Sequence, residues 1–252
     1  YARARIGLSE DGEKEFQRLL DTPPTMDIQP FVGDDSLAAF RLAANPEVAW
    51  RWIVSAIELD ERIEAHREFE ELREEDGVDF DPHRDIAQQL AGEMLVVVRP
   101  TQPQKSGRHH RSPMAFFGVG VGLVVPFKDR LAPERLVELL QTVAANSKHG
   151  PKVTYRKAKG AEGTGVKVVD FSRRAPFRIF VRQEMVMLTF GQIPEKNAAE
   201  MLAGQTGTMP SSPLAKKFLD SSAAAAGWVN IARGIETLGG GRLGKELGPA
   251  AD

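Results

Sequence analysis

The sequence predicts an α+β fold: an antiparallel β-sheet with helices packed on one side. Three observations carry that expectation. Short β-rich runs such as "EMLVVVRP" (93–100) and "FRIFVRQEMVMLTFG" (177–191) recur with turn residues between them, the pattern of hairpins rather than of βαβ crossovers. Helical stretches announce themselves by a cap and a first-turn proline, as in "NPEVAW" and "APERLVELL". The 252 residues, 42% hydrophobic and 27% charged, suffice for one substantial core.

Taken in order, "LSEDGEKEFQRLLDTPP" reads as a helix that stops before Pro23 and Pro24. "SLAAFRLA" (36–43) reads as a strand. A helix capped by Asn45 follows, with Trp50, Ile53, Val54 and Ile57 expected to face the core. The span 58–77 holds ten acidic and three basic residues with a thin apolar stripe of Leu59, Ile63, Phe69 and Leu72, and reads as a solvated helical face closed by Gly77 as C-cap, with an acidic docking surface for a basic partner as the functional alternative. "MAFFGVGVGLVVPF" (114–127) reads as a long strand. Its Gly118, Gly120 and Gly122 share one face, which suggests a groove for a packed helix. A helix begins at 132. "KVTYRKAKG" and "GVKVVDFS" form two strands around a glycine-rich turn, and the hairpin at 176–191 turns near Arg182-Gln183-Glu184. Helices at 194–204 and 212–222 precede a strand starting at 225.

This gives an N-terminal helix and linker (1–30), an α+β domain (31–239) and a glycine-rich tail (240–252). "DDSLAAFRLAANPEVAWRWIVSAIE" and "PSSPLAKKFLDSSAAAAGWVNIARGIE" share a Leu-Ala, a Phe, a Trp and an Ile-Glu end, which suggests one full unit and the start of a second. The chain starts at Tyr1, so a signal peptide or membrane anchor is expected, if anywhere, upstream.

Chemistry is thinly signalled. With no cysteine there are no disulfides, thiolate nucleophiles or cysteine-held metals. A net charge of -2 gives no reason to expect nucleic acid. "GVGVG" lies inside an apolar strand and lacks the G-x-G-x-x-G spacing at a strand-to-helix turn, and G-x-S-x-G, H-E-x-x-H and calcium-loop motifs are missing. The densest cluster, "DFDPHRD" (79–85), is first an Asp81-Pro82 helix start with Asp85 in the first turn; a metal would need ligands that do not accompany His83. No metal or cofactor is expected. Two oppositely charged patches remain as candidate partner-binding residues: acidic Glu70, Glu71 and Glu74, and the loop cluster Lys105, Arg108, His109, His110 and Arg111.

Several phrases resemble a bacterial family of exported proteins known only as a domain of unknown function: "VDFDPHRDIAQQLAGEMLVVV", "GVGLVVPFKDRLAPERLVELL", "FRIFVRQEMVMLTFG", "PEKNAAEMLAG" and "SSPLAKKFLDSSAAAAGWVNI". The resemblance spans most of residues 36–238 and implies an extracytoplasmic (periplasmic or cell-envelope), non-enzymatic, repeat-type α+β protein, often anchored by an upstream membrane segment. It carries over no catalytic residues, and the acidic helix and basic loop depart from its pattern. The expected function is protein–protein assembly or an envelope scaffold, through a protein partner or self-association. The alternative is binding of a lipid or other small apolar ligand, with Gly118–Gly122 and Met185 and Met187 lining the cavity.

Overall fold

A computed structural model describes residues 10–77, 79–101, 119–146, 153–171, 177–191, 193–205 and 211–234. Eight strands form one antiparallel sheet: β1 (Ala38–Ala43), β2 (Glu93–Pro100), β3 (Val119–Pro126), β4 (Val153–Lys157), β5 (Lys167–Phe171), β6 (Phe177–Arg182), β7 (Met185–Phe190) and β8 (Ala225–Val229). Their spatial order is β4-β5-β6-β7-β3-β2-β1-β8, so two meanders meet where β7 lies beside β3. The α+β class and antiparallel sheet are as the sequence predicts.

The helices are α1 (Glu10–Leu19), α2 (Pro46–Ala56), α3 (Leu59–Asp76), α4 (Pro82–Asp85), α5 (Ala132–Asn146), α6 (Glu195–Leu202) and α7 (Pro213–Leu219). Caps set several starts: Asn45 Oδ1 accepts from the amides of Glu47 (3.0 Å) and Val48 (3.3 Å), and Ser212 caps α7. Gly77 ends α3 at a φ of +65°, where a side chain would be strained. The β6–β7 turn is Gln183-Glu184, with Gln183 at a φ of +49°.

Successive strand residues face opposite sides of a sheet. Here the adjacent pairs Val168/Val169, Phe180/Val181 and Val186/Met187 are buried on both sides. The larger core places Leu95, Val97, Val124, Phe180 and Met187 against Ala198, Met201 and Leu202 of α6 and Ala215 and Phe218 of α7. The smaller one, on the other face, packs Val169, Val181 and Val186 against Ala132 and Val137 of α5. This corrects the expectation of helices on one side: β5, β6 and β7 carry apolar residues at both parities, so both faces need cover. The segment before residue 31 also reaches the core, since Ile28 is buried in the larger cluster with Phe31.

The two segments compared as a repeat adopt different structures. Leu37 to Phe40 lead into and form β1 with Trp50 in the helix after it, whereas Leu214 to Phe218 lie in α7 with Trp228 in the strand after it. The likeness is one of residue types.

The glycine face of β3 is filled by the chain itself. A Cβ at Gly120 would lie 2.6 Å from Ile193 Cγ1 and 2.9 Å from Thr101 Cγ2, and one at Gly122 would lie 2.4 Å from Met187 Cε. The groove thus receives Ile193, just ahead of α6, and Met187 of β7; Gly118 lies outside the described residues. Gly120→Val is expected to lower stability by about 1–3 kcal/mol, because three extra carbons enter a filled site. Denaturant melts measure it, and an unchanged midpoint would mean that this face is open.

Candidate functional site

The chemistry-like stretch 79–85 resolves into a helix start. Asp81 Oδ1 accepts from Arg84 N at 2.9 Å, and Asp85 Oδ2 accepts from Asp81 N at 2.8 Å, a reciprocal cap worth about 1 kcal/mol. Arg84 bridges Asp85 (2.7 Å) and Asp79 (3.3 Å), and its hydrogen bond holds the Asp85 carboxyl below the usual carboxylate range. His83 Nε2 meets Glu47 Oε2 at 2.8 Å, with the ring tilted against Trp50. That imidazole–carboxylate contact lies on open surface, both partners being half-exposed, and it does not line the neighbouring cleft. The cleft, about 380 Å³, runs between α5 and the 77–89 segment past Phe80, Asp85, Gln89, Arg135, Leu136 and Leu139. Among the described residues no three His, Cys, Asp or Glu side chains gather as a metal site.

The second feature is α3. Its eighteen residues carry nine acidic and three basic side chains. Its described anchor is Phe69, whose ring meets Phe80 edge-on at 5.5 Å. Leu59 and Ile63 of its thin apolar stripe are 62% and 60% exposed, and Ile53 and Ile57 of the preceding helix region, expected to face the core, are exposed as well. The exposure of Ile53 and Ile57 corrects the one core face expected here, that of α2. Periodicity tells which residues share a face, but not whether another element arrives to cover it, and α2 packs on α1 and the 87–89 turn instead of the sheet.

From Leu59, Ile63, Glu70 and Glu74 lie 4, 11 and 15 residues on. At about 100° per residue they fall within roughly 60° of one another, while Phe69 points about 100° away. The outward stripe of α3 is therefore apolar at its first turn and acidic toward its end. Glu70, Glu71 and Glu74 are all exposed. Glu71 lies 3.7 Å from Arg67, whereas neither Glu70 nor Glu74 makes an ion pair among the described residues. The other half of the predicted pair of patches, Lys105, Arg108, His109, His110 and Arg111, lies outside the described residues.

No helix among the described residues is long and apolar enough to cross a membrane. No known family model, curated protein or solved structure matches the chain.

Proposed function

We propose that this protein is a non-catalytic assembly domain that docks a protein partner on α3, in the cell-envelope setting that the sequence resemblance implies. The observation that carries this reading is the outward stripe of α3, with Leu59 and Ile63 exposed beside Glu70 and Glu74, which make no ion pair among the described residues. Exposed apolar side chains next to a block of one charge sign suit a basic segment with apolar side chains at one end. The ligand-binding alternative has less support, because Ile193 and Met187 occupy the glycine face that would have lined its cavity.

The test uses a basic helical probe peptide with leucines on one face and lysines on the other, titrated by fluorescence anisotropy. Glu70→Lys/Glu74→Lys is expected to weaken binding at least roughly tenfold, and added salt to weaken wild-type binding as screening shortens to about 8 Å. Asp60→Lys/Glu64→Lys makes the same charge change on another side of α3 and should cost much less. Equal losses for both variants would mean that only net charge acts, and the docking stripe would be refuted. Leu59→Ser/Ile63→Ser should also weaken binding while leaving the melting curve unchanged, since both side chains are already in water.

A further inference from the structure

The outer edge of β8 is built to pair with a second copy of itself, and we infer that the chain forms a two-fold dimer by joining β8 to β8 into one continuous sheet. The backbone register fixes which groups are free. Ala43 N donates to Ala224 O at 2.6 Å and Asn230 N to Leu37 O at 2.7 Å, which places 224, 226, 228 and 230 in the hydrogen-bonded pairs with β1. Ala225, Gly227 and Val229 therefore aim their N–H and C=O groups away from the sheet, and no described element meets them.

The two sheet edges differ in how they are protected. β4, at the opposite edge, carries Arg156 and Lys157 and lies against α5, the charged and covered form that discourages pairing. β8 reads "AAGWV", with no charge, no proline and no bulge. An uncharged, regular free edge is a template for another strand.

Why a second copy fits follows from the order of the side chains. Antiparallel pairing centred on Gly227 sets Ala225 opposite the partner's Val229 and Gly227 opposite the partner's Gly227. These are the outward-facing positions, so each facing pair exchanges two hydrogen bonds. On the face covered by α7, small Ala226 comes opposite the partner's large Trp228. On the other face Phe40, 49% exposed, lies flat over Gly227, where a Cβ would come within 2.6 Å of its ring. The two glycines at the axis let the Phe40 rings of both copies meet there, with Val229 (54% exposed) beside them. The strand is thus complementary to itself in polarity, size and hydrogen-bond phase, and pairing covers its most exposed aromatic neighbour.

The test is sedimentation of the full chain over a concentration series. Wild type is expected to double in mass. Val229→Lys and Val229→Pro should each weaken dimerisation at least roughly tenfold without loss of the monomer fold, since a proline is tolerated where the N–H faces outward. The chain has no cysteine, so Ala225→Cys/Val229→Cys reports the register directly. Facing hydrogen-bonded positions are about 5.5 Å apart between Cα atoms, within disulfide reach, and oxidation should give a covalent dimer. Insensitivity to salt separates this contact from the charged docking on α3. A wild-type chain that stays monomeric throughout, or a dimer that survives Val229→Lys and fails to crosslink, would overturn the proposal.

Discussion

Replacing Glu93 by alanine is expected to cost about 2–3 kcal/mol, a large part of the margin of a domain at the low end of ordinary stability. Glu93 opens β2 and is only 4% exposed. Its Oε1 accepts from the Thr25 hydroxyl at 2.6 Å, the Met26 amide at 2.8 Å and the Thr25 amide. These bonds dock the chain that follows α1 onto the sheet, and they set up the burial of Ile28 and Phe31 a few residues later. Alanine removes three hydrogen bonds to a buried carboxylate, and their donors, on the exposed Thr25 and the half-buried Met26, recover only part of that loss from solvent. Glu93→Gln keeps an acceptor oxygen and should lose less than half as much. Thr25→Val removes one bond of the set and should cost about 1 kcal/mol. Denaturant melts of the three variants test the ranking, and a Glu93→Ala protein as stable as wild type would show that the N-terminal segment does not depend on this anchor.

Local signals made much of the architecture legible. Asn45-Pro46, Asp81-Pro82 and Ser212-Pro213 each gave a helix start, because a cap and a first-turn proline act within one turn of chain. Strand β2 and the β6–β7 hairpin were equally visible from β-branched runs and their break. What depends on distant partners was not visible. Nothing in "EMLVVV" tells that Glu93 will be buried against Thr25, sixty-eight positions earlier. The apolar spacing of α2 suggested a core face that no described element covers at Ile53. The double-sided burial of the β5–β7 strands had a signal in Val168-Val169 and Phe180-Val181, where consecutive apolar residues break the one-sided alternation. The acidic residues of α3 were identified as exposed by composition alone; the separation of Glu70 and Glu74 from Glu71 needed the helix geometry and the Arg67 pair. The β8 edge could not have been chosen from sequence, since strand order decides which strand is left unpaired.

Arg156→Ala is expected to cost about 2–3 kcal/mol at neutral pH, and to cost progressively less as the solution is acidified. The guanidinium grips Glu195 with two parallel bonds (Nη1–Oε1 2.6 Å, Nη2–Oε2 2.9 Å) and reaches Asp170 Oδ2 at 2.7 Å. It thereby ties β4, β5 and the first turn of α6 together, and the Lys159 amide adds a bond to Glu195 Oε1 at 2.6 Å. The Arg156 hydrogen bond, helped by the Lys159 amide, holds the Glu195 carboxyl below its ordinary 4.5 against a smaller opposing effect of burial. A carboxyl depressed in the folded state binds more protons when unfolded. Its contribution is therefore complete above about pH 4.5 and is lost as pH falls through the lower folded value. Arginine stays charged throughout, so the pH dependence belongs to the carboxylates. Urea melts of wild type, Arg156→Ala and the Glu195→Gln variant between pH 7 and pH 3 should show the gap between the first two narrowing to less than half. Glu195→Gln, which has no charge to lose at that position, should show a flatter profile than wild type. A penalty for Arg156→Ala that is the same at both ends of the range would assign the loss to the packing of the arginine stem on the sheet, and the ion-pair account would fail.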